Sequence, residues 1–219
     1  MLKKFFFAAT FCLSLSFAAS AQDSGAIKPA AGEVTGEVQL SLSSGNTVGL
    51  SLNQLRGRYF LAPDMAVRAS FSLSLNTEDY DDNFNRSSSY VSIAPGIEKH
   101  FAGTDRLSPY VGAELSISKF SAHEESSFEE IEGAWSNGNG IANRNYFGLG
   151  LGAVAGADYY FAKHVYLGVE FGLGFQYRTY GEVERDPKNS GNTITYDDDR
   201  NNLSLNPTVN TGLRLGFVF

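Results

Sequence analysis

The sequence predicts an all-β chain folded as an eight-stranded antiparallel up-and-down transmembrane β-barrel. Three observations carry that prediction. Apolar residues recur at every second position over most of the chain. One face of the alternation is almost free of charge, while the other is rich in Gly, Ser, Asn and Tyr. Short connections alternate with long acidic ones, as in barrels that cross an outer membrane.

The N-terminus reads as a secretory signal peptide over residues 1–21. Lys3 and Lys4 precede an apolar run from Phe5 to Phe17, and Ala19, Ser20 and Ala21 supply the small residues of a cleavage site before Gln22. The run is too short to span a bilayer, and nothing later approaches the roughly 20 apolar residues of a membrane helix. Residues 22–32 read as a flexible lead-in and 33–219 as the barrel, with no soluble domain expected to follow. Cys12, the single cysteine, falls in the signal, so the mature chain has neither disulfide nor thiol chemistry. The formal charge of −7 becomes −9 when Lys3 and Lys4 leave, which argues against nucleic acid as a partner.

The strands follow in order. In the first, Val34, Val38, Leu40 and Leu42 are apolar on even positions. The second changes phase, from Val48, Leu50 and Leu52 to Leu55, Tyr59 and Leu61, which predicts a bulge near Asn53 and Gln54 because one extra residue reverses the faces. From Met65 onward the apolar positions are odd: Val67 to Leu75, Val91 to Ile97, Leu107 to Ile117, Phe147 to Phe161, Val165 to Tyr177, and Leu203 to Phe219. That face carries no Asp, Glu or Arg over six strands. Its Lys99 and Lys119 lie near strand ends, where a long stem can reach water. A soluble sandwich would also alternate; the small, neutral composition of the even face is what points to a confined barrel interior.

Short turns are expected at Ala62 to Asp64, Ala102 to Arg106 and Ala162 to His164. Long acidic loops are expected at Asn76 to Ser87, Ser121 to Arg144 and Tyr180 to Asn201. Each short turn follows an aromatic phrase, such as Tyr59-Phe60 or Tyr160-Phe161, suited to a membrane-water boundary. Pro95, Pro109 and Pro207 are unexpected inside strands, since each removes a ladder donor.

With the signal peptide and eight alternating strands, the closing Leu213-Arg214-Leu215-Gly216-Phe217-Val218-Phe219 resembles the small outer-membrane barrels of the OmpA-barrel, OmpX and OmpW kind. The resemblance implies an outer-membrane location in a Gram-negative-type bacterium with both termini periplasmic. It also implies that Leu213, Leu215, Phe217 and Phe219 form the signal read by the outer-membrane insertion machinery. The peptidoglycan-binding domain of full-length OmpA-type proteins is not expected to follow Phe219. Outer-membrane lipid, lipopolysaccharide and a surface ligand or host factor are the remaining expected partners of a monomer.

The even face carries Arg56, Arg58, Arg68, Arg178 and Arg214 against Glu37, Glu98, Glu114, Asp158 and Glu170. Five meet five. An eight-stranded barrel is narrow enough to be filled by side chains, and buried charges need partners, so the reading is a plugged lumen. Gly148, Gly150, Gly152, Gly156, Gly168, Gly172 and Gly174 line the inside of two strands, either opening a passage or relieving crowding against Arg and Tyr; crowding is the preferred account. The acidic loops, including Glu124, Asp79-Tyr80-Asp81-Asp82 and Asp197-Asp198-Asp199, lack the ligand spacing of a calcium loop and read as solvated surface. Ser121, His123 and Glu125 share one face but stand in the reverse order to the lipid A deacylases. His100 and His164 read as interfacial. No catalytic, cofactor or metal site is therefore assigned. The expected function is a non-enzymatic barrel acting through its outer loops, with a narrow transporter and an outer-leaflet hydrolase as alternatives.

Overall fold

The computed structural model describes residues 27–43, 47–81, 84–137, 140–189, 191–197 and 200–219. The signal peptide and the residues to Ala26, with Asp82, Asp198 and Asp199, lie outside the described residues. Eight long strands are β1 Val34–Ser43, β2 Thr47–Ala62, β3 Met65–Asp81, β4 Phe84–His100, β5 Leu107–Ser126, β6 Tyr146–Ala162, β7 Val165–Tyr180 and β8 Asn201–Val218. Each pairs antiparallel with the next, and β8 returns to β1, so the strands form a closed ring. No helix among the described residues is long and apolar enough to cross a membrane.

Register turns sequence parity into a surface. Val67 stands opposite Ile97, Ile97 opposite Ala113, Ala113 opposite Ala153, and Ala153 opposite Leu173. Odd residues meet odd residues around the wall, and cross-strand partners point to the same side. That side is outward: Leu151 is 62% exposed and Leu203 69%. An apolar band this exposed is stable only against lipid. Of the two lysines on this face, Lys99 reaches down to pair with Asp64 in the β2–β3 turn.

The phase change in β2 appears as an irregular register. Val38 faces Leu55, but the next residue, Gln39, faces Ser51, so residues 52–54 have no counterpart on β1. Three extra residues, an odd number, reverse the faces as one would. Outward of this point β1 and β2 are laddered to each other, whereas among the described residues β2 meets β3 from Gln54 to Ala62 and β1 meets β8 from Thr35 to Leu40.

Pro95 falls where a donor is not called for. Pro95 pairs with Ala69 of β3, while the β4–β5 ladder skips from Ile93 to Gly96, leaving a gap at the missing donor. Pro207 pairs with Leu173 of β7.

The long connections differ from expectation. Asn76 to Ser87 is no loop, because β3 and β4 stay laddered from Asn76–Ser88 out to Asp81–Phe84. β5 likewise continues to Ser126 and pairs with a short strand, Glu129–Glu132, which pairs with Val183–Pro187 and through it with Ile194–Tyr196. Alternation is lost outside lipid, where neither face is apolar, but the backbone ladder persists. Ile131, Ala134 and Val183 bury a small core inside this cap, with Ile141 against it.

At the other end, residues 27–32 are tied to the barrel instead of trailing from it. Ile27 packs on Tyr160, Tyr166 and Val218, Lys28 Nζ donates to the Ala102 carbonyl at 2.5 Å, and Gly32 N donates to the Phe60 carbonyl at 2.8 Å.

Candidate functional site

The short-turn half of the lumen is filled by ionisable side chains in contact with one another. Glu37 from β1 accepts from Arg214 at 2.6 Å and from the Tyr166 hydroxyl at 2.8 Å, and pairs with Arg58 at 2.9 Å. Glu170 from β7 accepts from Arg56 at 2.9 Å, Arg68 at 2.8 Å and the Tyr110 hydroxyl at 2.7 Å. Glu98 from β4 takes Arg68 at 2.7 Å and Arg58 at 2.9 Å. Asp158 from β6 takes Arg58 at 2.6 Å and Arg214 at 3.3 Å. Glu114 from β5 completes the set with Arg68 at 3.2 Å, its side chain still 26% exposed toward the space above. All eight strands contribute a charge.

Nine of the ten sequence-selected charges are thus brought together, and Arg178 is not. It lies toward the loop end of β7, where it donates to Gln176 Oε1 at 2.6 Å and sits 4.8 Å from the Tyr146 ring. The network is therefore four arginines against five carboxylates. Parity assigned Arg178 to the lumen, but its height on the strand separates it from the rest.

Tyr110 and Tyr166 of this floor were not singled out in the sequence, and Phe60 and Tyr160, assigned there to the membrane-water boundary, point into the lumen instead. Tyr110, Tyr160, Tyr166 and Phe60 are buried there, and Arg58 lies 4.9 Å from the Tyr110 ring. His100 is not interfacial: it is buried between Ser108 at 3.0 Å and Glu98 at 3.2 Å, against the Phe60 and Tyr110 rings. All are even-numbered from β2 onward, so the lumen parity was the signal that could have found them. His164 stays exposed in its turn with a φ of +67°.

The inner glycines divide into two groups. A Cβ on Gly168 would strike the Asp158 and Arg214 side chains, and one on Gly216 would strike the Tyr166 ring, so these make room for the floor. Gly152, Gly172 and Gly174 instead line a cavity of about 280 Å³ above it, with Gln54, Ser116 and Gln176. A second cavity of about 740 Å³ lies at the loop end, lined in part by Phe120, Tyr146, Arg178 and Tyr180.

The loop acids are not uniformly solvated. Glu124 is 1% exposed; it accepts from Arg86 Nε at 2.7 Å and Ser136 N at 3.0 Å, and also from the Ser136 hydroxyl. Trp135 Nε1 donates to the Ser87 carbonyl at 3.0 Å and clasps the same region. Among the described residues, His123, Glu130 and Glu132 offer ligand atoms within 4.8 Å of one another on the cap's outer side. His123 faces Glu130 at 3.8 Å, and Glu125 accepts from Lys188 at 3.0 Å, which holds its carboxyl below the usual range. Ser121, His123 and Glu125 thus stand in one strand row, but the acidic and basic groups are paired elsewhere.

A family model described as the OmpA-OmpF-like porin family matches residues 78–219. No curated protein sequence matches the chain. Among solved structures, the N-terminal β-barrel domain of Pseudomonas aeruginosa OprF is similar at 16% identity and a TM-score of 0.41, over 87% of this chain and 100% of that one. The attachment invasion locus protein Ail of Yersinia pestis is similar at 14% identity and a TM-score of 0.41, over 86% and 99%. The outer membrane protein OprG from Pseudomonas aeruginosa is similar at 13% identity and a TM-score of 0.46, over 89% and 99%.

Proposed function

Because the chain belongs to the OmpA-OmpF-like porin family, we propose that it is a non-enzymatic outer-membrane barrel whose lumen its own side chains close and whose interactions its outer loops make. The observation that carries this is the floor, to which each of the eight strands contributes a charge. Removing one partner of such a buried pair costs about 3–5 kcal/mol, because the charge left behind is buried without compensation. The lumen is then a blind well, open toward the loops.

In this reading both termini are periplasmic, on the side of the short turns, and Leu213, Leu215, Phe217 and Phe219 present the terminal strand to the insertion machinery. Lipid and lipopolysaccharide surround the apolar band. The folded cap, with its own small core, offers the loops as a shaped surface for a ligand or host factor. The separate partners of His123 and Glu125 support a non-catalytic role for that row.

Single-channel recording in planar bilayers tests the closed lumen. The folded protein is expected to give no stable conductance steps, and liposomes carrying it are expected not to swell in small sugars. Reproducible steps from the wild-type chain would establish a narrow channel in place of the closed well.

A further inference from the structure

The cavity at the loop end is chemically unlike everything around it. Four arginines line it, Arg144, Arg178, Arg185 and Arg200, and among the described residues no Asp or Glu does. The floor below matches arginine with carboxylate, and the loops outside are acidic. Two of the four are committed: Arg185 donates to Glu129 at 2.6 Å, and Arg144 donates to the Gly181 carbonyl at 2.7 Å. Arg178 and Arg200 differ, for neither has a carboxylate partner among the described residues. Arg178 holds Gln176, and both lie over rings, Arg178 at 4.8 Å from Tyr146 and Arg200 at 5.6 Å from Tyr180.

The wall that carries them is aromatic. Phe120 stacks on Tyr146 at 5.5 Å, and Tyr146 meets Tyr180 edge-on at 6.1 Å. A guanidinium offers a planar fork of donors suited to an oxyanion, and the adjoining rings offer flat apolar surface. A volume of about 740 Å³ is that of a small-molecule site and exceeds what a bare inorganic anion needs.

We propose that this cavity is a binding site for small aromatic oxyanions, aryl carboxylates or aryl phosphates, entering from the loop side. Arg178 and Arg200 bind the oxyanion, and Phe120, Tyr146 and Tyr180 cover the ring. The site does not depend on conduction, since its ligand enters and leaves through one mouth.

Calorimetric titration of the folded protein in a neutral maltoside detergent tests the proposal, with benzoate and phenyl phosphate as probes and benzamide and inorganic phosphate as their controls. Saturable binding of at least one aromatic anion is expected, at least about tenfold tighter than the control that lacks its charge or its ring. Arg178→Gln and Arg200→Gln are each expected to weaken it about tenfold, the worth of a charged hydrogen bond. Arg200 lies on the loop, so its variant keeps the test valid if Arg178→Gln fails to fold; folding is read by gel mobility before and after heating. The proposal is overturned if neither aromatic probe saturates, if benzamide or inorganic phosphate binds equally well, or if both folded variants bind as the wild type does.

Discussion

Arg58 of β2 and Asp158 of β6 meet across the lumen at 2.6 Å, with neither side chain exposed to solvent. Asp158 also takes Arg214, and Arg58 also pairs with Glu37 and Glu98, so removing one carboxylate leaves two guanidinium groups short of a partner. Asp158→Asn and Glu98→Gln are each expected to lower barrel stability by about 3–5 kcal/mol, and Arg68→Gln by a similar amount. Urea unfolding in lipid vesicles, followed by gel mobility, measures the change. Unaltered unfolding together with new ion conductance in any of the three would contradict the closed floor.

Gly216 and Gly57 are both strand glycines, yet they should tolerate alanine differently. A Cβ at Gly216 would run into the Tyr166 ring, whereas one at Gly57 would meet only the Thr35 carbonyl at 3.7 Å, an ordinary contact. Gly216→Ala is expected to cost about 1–3 kcal/mol through overpacking, and Gly57→Ala close to nothing. The same unfolding assay compares them, and equal costs would show that the tyrosine has room to move.

Glu124 is a structural residue of the cap, whose loss should be felt locally. Glu124→Ala leaves Arg86 Nε and the Ser136 amide without their acceptor, at a cost of about 1–3 kcal/mol. The expected readout is faster protease cleavage between residues 127 and 145, with the barrel's unfolding unchanged. Cleavage at the wild-type rate would mean that Trp135 and the small apolar core hold the cap unaided.

The Lys188 ammonium donates to Glu125 and keeps its carboxyl titrating below its ordinary value. The folded value being the lower one, the contact supports the cap above the ordinary carboxylate pKa and is lost as pH falls through the depressed one. Both groups are exposed, so the contribution is small. In an NMR titration, Lys188→Ala is expected to return the Glu125 pKa upward. An unchanged midpoint would show that the contact is not kept in solution.

Much of the barrel could be read directly, because a membrane forces one face of every strand to be apolar and parity records which face that is. Leu151, Phe171 and Leu203 needed only their odd numbers to be placed outside, and the phase reversal around Asn53 and Gln54 located an irregularity that register displays. Parity also placed the charges inside. It could not say how high each one stands, and so Arg178 was grouped with a floor that it does not reach. It was likewise silent beyond the lipid, where Asn76 to Ser87 lost its alternation without losing its ladder.

What the sequence determined by itself is the barrel, its inward and outward faces and the identity of its lumen charges, since these follow from local alternation under one external constraint. Only the tertiary structure decided which charges meet. Ring closure sets eight strands at particular relative heights, and from those heights come the buried His100, the clasped Glu124 and the arginine-lined mouth. Relative height depends on shear and register summed around the ring, and no single strand carries that sum.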